Sequence, residues 1–148
     1  MDSKTAYQNY KFLQGSLTLS GQFFEGVDSS MSSEHDHLAC NGTFIAVPWS
    51  AQSTVAVFPA YGFSRFDNHI KLIKGHKGSI NDVSFSPFNE NLLLTCSDDG
   101  NSKLWVIPEA GITEHVKDAD ADLLGHTKKV LGSAWHHIAE HTLATYGG

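Results

Sequence analysis

The chain has 148 residues, of which 41% are hydrophobic and 18% charged, close to the averages of globular proteins and enough to build a packed core. Its formal charge is −6 and its basic residues are scattered, Lys128-Lys129 being the one adjacent pair, so the clustered cations that a nucleic-acid surface needs are absent. No window approaches the roughly 18 consecutive apolar residues of a membrane span, and Met1-Asp2-Ser3-Lys4 opens without the apolar segment of a secretory signal, so a cytoplasmic protein without a membrane span is expected.

Residues 1–37 are the least patterned. Ser29-Ser30-Met31-Ser32-Ser33 is polar, whereas Phe12, Leu13, Phe23 and Phe24 are apolar, and the segment is read as a partly extended edge. From Leu38 onward, short runs of Val, Ile, Phe and Leu recur between turn residues and no window carries the i, i+3, i+4, i+7 pattern of a helix. An all-β chain follows. Its first strands are expected at 43–47 and 53–58, forming a hairpin, with Pro48 and Pro59 stopping each where a ladder N–H would be missing. Cys40 and Cys96 lie within apolar runs, which suits small buried thiols better than a disulfide.

An internal repeat then decides the fold. Gly75-His76 precedes an alternating strand at 80–85, with Ile80, Asp82 and Ser84 on one face and Val83 and Phe85 on the other. A continuous apolar run at 92–97 reads as a strand buried on both faces, and Asp99-Gly100 turns it into a third strand at 102–107. The unit restarts at Gly125-His126, 50 residues after the first Gly-His, with strands at 130–135 and 141–146. That period slightly exceeds the roughly 40–45 residues of a WD repeat, and the polar stretch 109–122 accounts for the excess as an exposed loop. Outer strands are expected at Ile70-Lys71-Leu72-Ile73 and Asp122-Leu123-Leu124.

The expected architecture is therefore a set of WD40-type β-propeller blades, two complete and the start of a third, forming an incomplete propeller. Residues 38–74 make a degenerate first blade, 75–124 a full repeat and 125–148 the start of another. In such a blade a His, a Ser or Thr, an Asp and a Trp form one buried polar network, here assigned to His76, Ser97, Asp99 and Trp105. The next unit supplies His126 and Thr145. The same residue types make a hydrolase triad, but Ser97 ends a strongly apolar strand and no Gly-x-Ser-x-Gly elbow exists, so no enzyme and no catalytic residue are expected.

Several details carry a closer resemblance: Ser86-Pro87-Phe88, the exit Ile107-Pro108-Glu109, the stretch from Asn68 to the Gly75-His76 loop, Leu124-Gly125-His126, and Val130 through Trp135-His136. His35-Asp36-His37-Leu38-Ala39-Cys40-Asn41 looks like an amino-terminal signature of the same family. From about Tyr10 onward the chain resembles the coronins. That resemblance implies a seven-bladed propeller, a non-enzymatic interaction platform, binding to filamentous actin and other cytoskeletal proteins, and a cytoskeletal location. Two features depart from it: there are no coiled-coil heptads, and the leader has Ser29 to Ser33 where the family carries a basic residue important for actin. Actin is acidic, so Lys71, Lys74, Lys77, Lys128 and Lys129, which flank the two Gly-His loops, are the candidate actin-facing residues. The alternatives are a WD scaffold with a non-actin partner and a shortened product without independent function.

No cofactor and no metal are expected. Asp118-Ala119-Asp120-Ala121-Asp122 begins like a calcium loop, but Leu123 stands where Gly is needed and Lys129 where Glu is needed. His136, His137 and His141, and His35, His37 and Cys40, do not complete four-ligand zinc sets. Asn41-Gly42-Thr43 reads as a turn rather than a glycan acceptor, and Trp49 as part of the degenerate blade rather than a ligand-binding aromatic.

Overall fold

A computed structural model describes residues 23–29, 38–62, 65–66 and 69–148. Most of the expected leader segment, its His-Asp-His stretch, the serines after Ser29, and Asn68 lie outside the described residues.

Every regular element among the described residues is a strand, and the strands form three antiparallel sheets. The first contains β1 (Ala39–Cys40), β2 (Phe44–Pro48), β3 (Val55–Pro59) and β4 (Leu72–Ile73), in that order. The expected hairpin is β2–β3, moved slightly along the chain: Phe44 pairs with Pro59 and Pro48 with Val55. Each proline takes the last residue of its strand, so its missing N–H falls at an end of the ladder. Thr54 leaves the expected strand to close the turn, donating from both N and Oγ1 to the Ala51 carbonyl at 2.8 and 2.7 Å.

The second sheet contains β5 (Ile80–Phe85), β6 (Leu92–Ser97), β7 (Asn101–Val106) and β8 (Ala121–Leu124), again in chain order. Gly100, with φ at +83°, makes the tight turn between β6 and β7, a conformation open to Gly at little cost. The third sheet pairs β9 (Val130–Trp135) with β10 (Leu143–Gly147). β10 begins later than expected because His141, at φ +60°, still belongs to the turn. β5 packs beside β1 and β2 on one side and β9 on the other, as the inner strands of successive blades do.

One expectation about faces is corrected. Ile80 pairs with Ser97 but Asp82 pairs with Cys96, so Asn81 is the extra residue of a β-bulge. The bulge resets the alternation: Ile80 joins Val83 in the core toward the first sheet, while Asp82 and Ser84 reach the third. The third sheet repeats the irregularity, with Tyr146 opposite Gly132 and Gly147 opposite Val130.

The main core lies between the first two sheets, where Phe44, Val55 and Ile73 meet Ile80, Leu93, Trp105 and Ile107, all at most 2% exposed. Burial of each such side chain contributes about 1.5–3 kcal/mol, so this inter-blade contact is mainly hydrophobic. On the other face of the first sheet, Val47, Trp49, Ala56, Phe58 and Leu72 pack with Phe24 and Phe66. Phe24 stacks on Phe66 at 5.9 Å, and Trp49 meets Phe66 edge-on at 6.0 Å, so Trp49 is a core residue.

The stretch 109–122 is not a free loop. Ile112, Val116 and Ala119 pack against the main core, and Val116 bridges Ile73 in parallel. Lys74 N donates to the Val116 carbonyl at 2.7 Å and Val116 N to the Leu72 carbonyl at 3.1 Å. The segment thus covers the outer edge of β4, whose backbone groups otherwise present an open ladder. Its polar character hid three apolar anchors. Cys40 is likewise exposed, contrary to expectation, whereas Cys96 is buried and its thiol is pushed up to about 11 by that burial.

Candidate functional site

The polar network of the second sheet is built around a threonine. Thr95 Oγ1 lies 2.7 Å from His76 Nε2 and accepts the indole N–H of Trp105 at 2.9 Å, while His76 Nδ1 lies 2.9 Å from Asp99 Oδ2. Ser97, expected in this role, does something else: its Oγ accepts the Asp99 backbone N–H at 3.2 Å and closes the turn. Ser97 and Thr95 share a face of β6, so alternation cannot separate them. Register does. Trp105 pairs with Leu93, which puts Thr95 one same-face step away and Ser97 two, and each step is roughly 6.6 Å along a strand. The 50-residue period, which carries Thr145 back onto Thr95, holds the signal that identifies the right hydroxyl.

The direction of the bonds follows from the charges. Asp99 accepts from Lys77 N at 2.9 Å and Asn101 N at 3.0 Å as well as from His76. Burial pushes its carboxyl up, but the Lys77 amide, His76 and the Asn101 amide outweigh that and hold it below the usual carboxylate range. Burial holds the His76 imidazole below its ordinary value, against the opposing pull of Asp99. A neutral ring with its proton on Nδ1 donates to Asp99 and accepts the Thr95 hydroxyl proton at Nε2. Trp105, Thr95, His76 and Asp99 then form a satisfied donor chain. Thr95 and Ser97 are fully buried, so neither hydroxyl meets solvent. Gly75 belongs to the same construction: a Cβ there would overlap the Trp105 ring and come within 2.7 Å of the Lys117 carbonyl.

In the third sheet His126 Nε2 lies 2.9 Å from Thr145 Oγ1, the same contact 50 residues on. Between the second and third sheets lies a polar seam that the residue types alone did not reveal. Ser133 donates to Asp82 at 2.6 Å and lies 3.1 Å from Ser84, whose Oγ accepts the Trp135 indole N–H at 3.0 Å. Asn81, pushed out by its bulge, donates to Asp98 and to the Val130 carbonyl, both at 2.8 Å. Asn41 uses its carbonyl to accept Thr43 N and Phe44 N and its amide to reach the Glu90 carbonyl at 2.8 Å, so its side chain is engaged in a turn.

All five candidate lysines are exposed. Lys77, Lys128 and Lys129 lie in the loops entering β5 and β9, at the same end of the sheets as the Asp99-Gly100 turn: Lys77 N is bonded to Asp99, and the Lys128 carbonyl faces Gly100. Lys71 and Lys74 flank β4 beside the covering segment instead. His136 Nδ1 accepts the amides of Ile138 and Ala139, which makes it a turn cap. Among the described residues no three His, Cys, Asp or Glu side chains converge as a metal set.

Successive antiparallel sheets with their inner strands side by side, the second and third each entered by a Gly-His loop and tied by a His–Thr contact, define a WD-repeat β-propeller protein. The WD domain, G-beta repeat model matches residues 67–106, and a domain of unknown function (DUF1899) matches residues 8–65. Coronin-2A of Bos taurus is 32% identical over 84% of this chain and 24% of its own length, and the coronin-like protein of Saccharomyces cerevisiae is 34% identical over 75% and 19%. The crystal structure of the WD40 domain from Toxoplasma gondii coronin superposes with a TM-score of 0.76 at 31% identity, covering 86% of this chain and 33% of that one. The chain belongs to the coronin family, and it spans about a fifth to a quarter of the length of these curated relatives.

Proposed function

We propose that this chain acts as a non-enzymatic, coronin-type interaction platform associated with the actin cytoskeleton and that it contacts filamentous actin through its lysine-bearing rim. The observation that carries this reading is coronin kinship combined with Lys77, Lys128 and Lys129 at one end of adjacent sheets, in a chain of net charge −6. Cations gathered on one rim are what an acidic filament surface selects, and they act chiefly on encounter rate and orientation. The buried His76–Thr95–Trp105 relay holds the sheet that presents Lys77 rather than performing chemistry. A WD scaffold with a non-actin partner is the second reading, favoured by the absence of Lys and Arg from Ser29 to Ser33.

Co-sedimentation with actin filaments at physiological ionic strength tests the proposal. The chain is expected to pellet with filaments, less so as salt rises, and the triple change Lys77→Glu, Lys128→Glu, Lys129→Glu is expected to leave it in the supernatant. An unaltered, folded chain that stays in solution while a longer coronin pellets would overturn the actin assignment.

A further inference from the structure

Beside the outer edge of the first sheet is a cavity of about 350 Å³, bounded by Asp28, Trp49, Ile70, Lys71, Lys74 and His115 among others. These residues come from four separate stretches: the described part of the leader, the β2–β3 turn, the segment around β4, and the stretch 109–122 that covers β4. Its volume falls at the lower end of the range of small-molecule sites.

The polar groups have defined roles. His115 Nδ1 accepts the Leu72 backbone N–H at 3.1 Å, which puts the proton of the neutral ring on Nε2 and makes that atom a donor. Lys71 and Lys74 add two exposed ammonium groups, so together with His115 they bring three donors, two of them charged, to a cavity that Ser50 and His69 also line, in a chain that is acidic as a whole. Asp28 is its one carboxylate and can accept from hydroxyl groups, and Trp49 and Ile70 supply apolar wall. Lysine ammonium groups recognise phosphate as point charges, and a phosphoryl group has three terminal oxygens to meet three donors, one more than a carboxylate offers.

We propose that this cavity is a binding site for a small phosphorylated hydroxy compound. The phosphoryl group meets Lys71, Lys74 and the His115 Nε2–H, a ligand hydroxyl meets Asp28, and the carbon skeleton lies against Trp49. Because His115 sits on the segment covering β4, occupancy also clamps that segment in place. This site is independent of actin, and its test involves no filament.

Two-dimensional amide NMR of the chain, titrated at constant ionic strength with glycerol 3-phosphate, inorganic phosphate or glycerol, reads the site directly. Glycerol 3-phosphate is expected to shift Lys74, His115 and the Trp49 indole signal saturably, and glycerol to shift none. Lys71→Gln with Lys74→Gln is expected to weaken binding about tenfold or more, because each removes a charged hydrogen bond. Asp28→Asn is expected to weaken glycerol 3-phosphate while leaving inorganic phosphate unchanged. Lys77→Gln, outside the cavity, is expected to change neither, and the amide dispersion of each variant verifies its fold. Linear, unsaturated shifts with both phosphates, or saturable shifts indifferent to the double lysine change, would overturn the proposal; saturation by inorganic phosphate with no effect of Asp28→Asn on glycerol 3-phosphate would overturn the hydroxyl contact.

Discussion

Thr95 and Ser97 are both fully buried, both carry a hydroxyl and both lie on one face of β6, yet they are not equivalent. Replacing Thr95 with Val keeps the shape but strands the Trp105 N–H and leaves His76 Nε2 without a donor, so a loss of about 1–3 kcal/mol is expected. Ser97→Ala removes a single acceptor of a turn amide and is expected to cost about 1 kcal/mol or less. Urea unfolding of the two variants, compared by midpoint, checks the order, and a larger effect at Ser97 would contradict the relay. The same relay sets an acid limit. His76 is held below its ordinary value by burial, so the unfolded chain takes up that proton first, and stability is expected to fall as pH drops below about 6.5 toward the folded value. Asp99, also held low, adds its loss only at still lower pH, below about 4. Unfolding midpoints of wild type and His76→Gln across pH 7.5 to 5 measure this, and the variant's curve is expected to be flatter.

Among elements, the two inter-blade contacts differ in kind. The first is an apolar core from Phe44 to Trp105, and the second depends on the Asp82–Ser133–Ser84–Trp135 seam and on Asn81. Asn81→Ala deletes two donors and leaves the Val130 carbonyl without its side-chain partner, so a loss of about 1–3 kcal/mol is expected. Amide exchange localises the effect: β9 and β10 are expected to exchange faster while the interior of β6 stays protected, and uniform acceleration would mean that the sheets do not loosen separately. The segment 109–122 acts on the outer side of the first sheet in a comparable way. Val116→Pro removes the N–H bonded to the Leu72 carbonyl, and faster exchange at Leu72 and Lys74 is the expected readout.

At the scale of the molecule, Leu124, Ile138 and Tyr146, from β8, the β9–β10 turn and β10, stand exposed as large apolar side chains. Exposed apolar side chains favour association with another chain. Concentration-dependent self-association of this chain is therefore expected, and Leu124→Ser with Ile138→Ser is expected to reduce it. Size-exclusion chromatography with light scattering measures both, and a compact monomer at every concentration would contradict the expectation.

The sequence alone determined the all-β class, the 50-residue unit and most strand centres, because alternation, Gly-His entries and the Asp99-Gly100 turn are local signals that the backbone obeys residue by residue. It also placed His76, Asp99 and Trp105, but left two hydroxyls on one face of β6. Only pairing with β7 chose Thr95, because reach across strands depends on register, which no single strand specifies. The bulge at Asn81, the return of Val116 onto β4 and the cavity beside Lys71, Lys74 and His115 were decided by tertiary structure for a related reason. Each joins segments far apart in the chain, whose meeting depends on which edges and faces the assembled sheets leave to be filled.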